Sequence, residues 1–208
     1  MLYKIIKIFF PISFLLISCV NNQVSEIQKS AIYNLNDYQV TIRSTKGLCV
    51  NSNLSQEKNK SLILILTECI KNPNSNQLIR RPISSIITVK LQQESGLNSY
   101  SKISDFIKST DVKLNYIFNI SDHKIIKSYQ KGNTLYMSLY ANNKNDILNT
   151  GSRFWKALSL YDNILISTSA YGFSKKNSNH LSYKELEDKL KSVVNAIEIS
   201  KIKKDSSV

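Results

Sequence analysis

The sequence predicts an α+β fold: an antiparallel sheet packed by a long C-terminal amphipathic helix and one or two shorter helices. Three observations predict it. Strand-like alternation sets Tyr38, Val40 and Ile42 against Gln39, Thr41 and Arg43. Leu62 to Thr67 is a continuous apolar run of the kind found in a strand covered on both faces. The chain then closes on a clear helix signal after Ser182. A strand-rich body with a closing helix on one face is the α+β arrangement.

Taken in order, the first 18 residues read as an export signal. Lys4 and Lys7 make a positive n-region, and Ile8 to Ile17 is an apolar stretch of ten residues broken by Pro11 and Ser13. That is shorter than the ~20 residues a spanning helix needs. Leu16-Ile17-Ser18-Cys19 follows. These four residues resemble the bacterial lipobox, which implies signal cleavage after Ser18 and lipidation of Cys19. A thiolate is the best available nucleophile for taking a diacylglyceryl group, and the small Ser18 gives a peptidase access to the bond. The resemblance implies a bilayer as partner, reached through the lipid on Cys19. Val20 stands where Asp typically marks retention at the inner membrane, so in a host with two membranes it implies the outer one, facing the periplasm.

Residues 19–37 are polar and lack a sustained apolar period, as expected of a lipidated N-terminus and flexible tether; residues 20–37 extended reach at most about 60 Å. Residues 38–200 read as one α+β domain and 201–208 as a charged, fraying tail. Within the domain, strands are expected at Tyr38–Ile42, Gly47–Val50, Leu62–Thr67, Ile83–Leu91, Val112–Ile120 and Asn163–Tyr171. A hairpin is expected where Ile125–Tyr129 and Leu135–Ala141 flank Lys131-Gly132-Asn133. Ser99–Ser109 reads as a short helix, with Ile103, Phe106 and Ile107 on one face, and Arg153–Leu160 as one or two helical turns around Trp155.

The final helix has the most local support. Ser182 and Glu185 stand at the two ends of a capping box, and Leu181 and Leu186 at the places of a hydrophobic staple. Leu186, Leu190, Val193 and Ile197 form its apolar stripe. From Tyr116 to Ser200 the order of elements is hairpin, Trp-bearing turn, apolar strand and long amphipathic helix. That layout resembles the PsbP-like superfamily, whose members pack an antiparallel sheet with helices and include small envelope lipoproteins. A larger strand count or a lipocalin-type barrel is the competing architecture.

The three cysteines divide into Cys19 and an even pair, Cys49 and Cys69. In an exported protein the pair favours a disulfide over two buried thiols. The bridge would stabilise by roughly 3 kcal/mol. The net charge of +13 is spread along the chain, with short pairs at Arg80-Arg81 and Lys175-Lys176. Scattered lysines in an exported chain point to solvated positions, not to a nucleic-acid partner.

Catalytic, metal and cofactor sites are not expected. The 2 histidines, His123 and His180, read as loop residues, and Asp122-His123 has no accompanying nucleophile motif. Asp105, Asp111, Asp122 and Asp162 are scattered acids with no spacing that marks a site. Neither a spaced His/Cys cluster nor a phosphate-cradling glycine loop is present. Tyr129, Tyr136 and Tyr140 fall on the expected hairpin, where core and rim packing is the first reading and an exposed tyrosine face that binds an envelope protein or glycan is the alternative. The function expected is therefore non-enzymatic binding at a membrane, against a small envelope enzyme or a structural lipoprotein.

Overall fold

Hairpin chemistry organises this chain more than helix chemistry does. In the computed structural model, Asn36, Asp162 and Gly132 each open a two-residue loop with a positive φ of 52°, 49° and 59°. That left-handed conformation suits Asn, Asp and Gly, and its twist matches that of paired strands. The structure describes residues 27–202 apart from 29, 46, 59, 72–77, 81–83, 94–96, 98–101, 109–122, 142–149 and 174–180. The expected strand at Val112–Ile120 lies outside them.

Thirteen strands are described: β1 (Ile27–Gln28), β2 (Ser30–Leu35), β3 (Tyr38–Arg43), β4 (Leu48–Asn51), β5 (Gln56–Lys58), β6 (Ser61–Lys71), β7 (Leu78–Arg80), β8 (Ser85–Gln93), β9 (His123–Lys131), β10 (Thr134–Ala141), β11 (Thr150–Tyr161), β12 (Ile164–Phe173) and β13 (Ile197–Lys201). Two α-helices, α1 (Ile103–Lys108) and α2 (Tyr183–Val194), and a 3-10 turn at Ser52–Leu54 accompany them among the described residues. The large sheet runs β1-β4-β6-β8-β12-β11-β10-β9, with β5 and β7 also paired to β6; a small sheet runs β13-β3-β2. Every described pairing is antiparallel.

The large sheet is covered on both faces. On one, the small sheet and α2 bring Val40, Ile42, Leu186, Leu190 and Val193 against Leu64, Val89, Ile166 and Trp155. On the other, Ile103 and Phe106 of α1 meet Met137, Leu139, Phe154 and Leu158. Asn133, in the β9–β10 turn, fixes α1: its side-chain oxygen accepts from the Ile103 amide at 2.9 Å and its nitrogen donates to the Leu160 carbonyl at 2.8 Å.

The expected α+β class is therefore corrected to a sheet-dominated fold, in which strands form the body and the described helices are two short additions. Three local readings change with it. Arg153–Leu160 is the middle of a 12-residue strand. Phe154 and Leu158 face one core and Trp155 and Ala157 the other, so burial on both sides erased the alternation that marks a strand. Ile27–Leu35, inside the expected tether, holds β1 and β2, with Ala31 and Leu35 buried. Ile197 leaves the helical stripe and begins β13, whose register with β3 runs from Ile197↔Ile42 to Lys201↔Tyr38.

The capping box at Ser182 is present. The Glu185 amide donates to the Ser182 side chain, and the Glu185 carboxylate accepts from the Ser182 amide at 2.8 Å.

Cys49 on β4 and Cys69 on β6 lie at disulfide distance, with Cα atoms 5.9 Å apart. The pair is diagonal, since Cys49 sits opposite Thr67, and both residues are buried. Alkylation of denatured, unreduced protein is expected to leave this pair unmodified, with two further thiols labelled after reduction. A mass increase on reduction of fewer than two labels would show that no bridge had formed. Loss of the bridge by Cys49→Ala with Cys69→Ala is expected to lower stability by about 3 kcal/mol.

Candidate functional site

The β9–β10–β11 corner groups aromatic and charged side chains on the face that α2 covers. Register decides which residues share that face. Lys131, Tyr129, Lys127 and Lys124 of β9 stand opposite Thr134, Tyr136, Ser138 and Tyr140 of β10, which in turn oppose Ser159, Ala157, Trp155 and Arg153 of β11. A bulge at Ile126, between the Ser138 and Leu139 positions, makes this possible. One extra residue on β9 shifts its phase and brings Lys124 to the same face as Lys127 and Lys131.

Under α2 the aromatic rings interlock. Tyr129 stacks on Tyr136 with ring centres 5.2 Å apart and planes 14° apart, and meets Trp155 nearly edge-on at 6.3 Å. The Trp155 indole donates to the Tyr183 carbonyl at 3.2 Å, in the first turn of α2. The Arg153 guanidinium lies 4.0 Å from the centre of the Tyr183 ring, a cation–π contact at the rim.

A charged cluster closes the outer side of the stack. The Tyr129 hydroxyl donates to the Glu187 carboxylate at 2.5 Å, and Lys191 pairs with the same carboxylate at 2.6 Å, one helical turn on. The Lys191 and Lys127 ammonium groups lie 5.4 and 5.6 Å from the Tyr129 ring centre. Burial alone would raise the Glu187 carboxyl, but the hydrogen bonds from Lys191 and Tyr129 outweigh it and hold the group below its ordinary value. Burial, reinforced by the Glu187 charge, pushes the Tyr129 hydroxyl up. Hydrogen bonds to Glu187 and Tyr129 raise Lys191. At neutral pH the cluster is thus a fixed carboxylate between a neutral phenol and a cation. Such a group can orient charge.

Of the residues singled out from the sequence, Ser18 and Cys19 lie outside the described residues, as do His180, Asp111 and Asp122. The three hairpin tyrosines divide between core packing and the surface. The structure brings Tyr129 and Tyr136 together beneath α2, with Tyr136 only 3% exposed, and leaves Tyr140 outside the stack at 41%. Identity on a strand face was legible, but the helix laid across that face was not. His123 is a half-buried strand residue set edge-on to Phe154 at 5.2 Å, in place of the expected loop position. Asp162 accepts from the Tyr38 hydroxyl at 3.3 Å and pairs with Lys201 at 3.1 Å, far in sequence from Asp105 of α1.

Two charged positions had no signal in the sequence. Lys156, opposite Met137 and Ser169 on the other face of the sheet, is pushed down to about 8 by burial and by the nearby Lys90. Glu68 on β6 is ion-paired with Lys189 of α2 and accepts from the Ser84 amide at 3.1 Å and the Ser85 hydroxyl at 3.2 Å. Both depend on what folds over them, which no local pattern records. Among the described residues no group of three or more His, Cys, Asp or Glu side chains is placed to hold a metal ion. Among them, too, no helix is long and apolar enough to cross a membrane.

No family model matches the chain, and no curated protein is significantly similar to it. Solved structures give a looser likeness. A mutant of the protein Mog1 is 13% identical with a TM-score of 0.46, over 82% of this chain and 96% of that one. The solution structure of cyanobacterial PsbP (CyanoP) from Synechocystis sp. PCC 6803 is 8% identical with a TM-score of 0.40, over 88% and 98%. The extracellular domain of PknH from Mycobacterium tuberculosis is 8% identical with a TM-score of 0.33, over 81% and 86%. At these scores the chain is similar to them in outline, and the likeness carries no activity with it.

Proposed function

We propose that this protein is an exported lipoprotein, anchored in a bilayer by acyl chains on Cys19, whose β-rich domain binds an envelope protein or glycan and catalyses no reaction. The observation that carries the reading is the ordered run of Lys4 and Lys7, the apolar stretch Ile8–Ile17 and Leu16-Ile17-Ser18-Cys19, ending eight residues before the first strand at Ile27. Eight residues span at most about 29 Å, so the β1 edge of the sheet is held close to the bilayer. Several acyl chains on one residue hold a protein on a membrane durably, where a single chain does not. In a host with two membranes, Val20 after the cysteine favours the outer membrane, facing the periplasm.

Labelling cells with a radioactive fatty acid tests the anchor. The wild-type protein is expected to take the label and to fractionate with membranes. Cys19→Ala is expected to take none and to leave the lipid-modified fraction. Equal labelling of the two, or no label in the wild type, would overturn the reading.

A further inference from the structure

The binding half of the proposed function can be given a place and a partner chemistry. Among the described residues β9 ends the large sheet, at the opposite end from β1. An end strand offers a row of backbone N–H and C=O groups to any extended chain that can approach it. At nine residues β9 is long for such a position, and all its residues except His123 and Tyr129 are exposed. Ile125 and Ile126 are 47% and 45% exposed, so the strand also presents apolar surface.

Charge selects what can pair there. The strand holds three lysines and no acid, and the bulge at Ile126 sets Lys124, Lys127 and Lys131 on one face. Among the described residues none of the three makes a salt bridge. A second copy of β9 would bring lysines against lysines across the new pair, which is unfavourable. A neutral strand would set no opposite charge beside the lysine face. An added strand with an acid at every second position would place its carboxylates on the lysine face, since side chains alternate along a strand.

We propose that the outer edge of β9 is a docking edge for an extended, acidic segment of a partner protein, which adds as a further strand with its carboxylates against Lys124, Lys127 and Lys131. This rests on the proposed binding role and not on the lipid anchor.

A fluorescein-labelled octapeptide of alternating Glu and Val, with a Lys–Val octapeptide as its counterpart, tests the proposal against the full mature chain. By anisotropy the acidic peptide is expected to bind at least about tenfold more tightly than the basic one. The Lys124→Glu/Lys127→Glu/Lys131→Glu variant, checked for an unchanged melting temperature, is expected to reverse that preference. Amide hydrogen exchange is expected to slow at alternate β9 residues only when the acidic peptide is bound, because a docked strand ties up the outward amides. Binding without that protection would reduce the contact to general charge attraction and overturn strand docking. Absence of binding, or a concentration-dependent dimer paired through β9, would overturn the proposal as well. None of these outcomes alters the fatty-acid labelling at Cys19, so the anchor and the docking edge fail or stand separately.

Discussion

Trp155→Ala is expected to cost about 3–5 kcal/mol of stability, the range for truncating a large buried aromatic. Trp155 is 4% exposed in the middle of β11 and belongs to the core that α2 covers. Its ring meets Tyr129 edge-on, and its indole nitrogen donates to the Tyr183 carbonyl at the start of α2. Removal therefore opens a cavity beneath the helix and releases the helix's first turn from the sheet. Trp155→Phe separates the two effects. It keeps most of the ring volume and loses the N–H donor, whose net worth is about 1 kcal/mol. Urea unfolding followed by far-UV circular dichroism reads both variants. A loss below about 1 kcal/mol for the alanine variant would show that α2 is held elsewhere.

The second large effect is expected at Glu68 and Lys189, which join β6 to α2 with side chains only 12% and 16% exposed. Lys189→Met leaves a part-buried carboxylate with serine and amide donors alone, and losing its charged partner costs about 1–3 kcal/mol. Glu68→Leu with Lys189→Met removes both charges and is expected to recover part of that loss, so the cycle of single and double variants measures their coupling. Additive losses would show that the two groups do not act as a pair.

The same carboxylate sets an acid limb. Burial acts to raise the Glu68 carboxyl, but hydrogen bonds from Lys189 and Ser84 and the lysine charge outweigh it and leave the group below its ordinary value. A carboxyl lowered in the folded state binds protons more weakly there than in the unfolded chain. Its contribution is full above the unfolded value of about 4.3 and fades as pH falls through the folded value. Glu187 acts in the same direction. Stability of the wild type is thus expected to fall below about pH 5, with a shallower fall in Glu68→Gln. Parallel pH profiles for the two proteins would remove Glu68 from the acid limb.

Much of the strand map was legible because one face of a strand met a core and the other met solvent. Tyr38–Ile42 is the clear case, an alternation that became β3 with Tyr38, Val40 and Ile42 buried. The Gly132-Asn133 turn and the Ser182 capping box were legible for a related reason: their chemistry is contained in a few consecutive residues. β11 was not legible, since a strand buried on both faces has apolar residues at helical as well as strand spacings. The candidate site was legible only as a set of tyrosines on a hairpin. Nothing local to Tyr129 and Tyr136 shows that Glu187 and Lys191 lie over them, and the phase shift that aligns the three lysines comes from a bulge defined by two strands together.

By itself the sequence determined the local signals: the Gly132-Asn133 turn, the cap of α2, and the even cysteine pair left once Cys19 is set aside. These depend on contacts within a few residues, or on counting. Tertiary structure alone decided that the body is sheet and not a helix-packed layer, that Ile27–Leu35 joins the fold, and that β9 ends the large sheet among the described residues, with Lys124 in phase with Lys127 and Lys131. The physical reason is common to all three. Pairing, burial and register belong to two or more strands at once, and no single stretch of chain carries them.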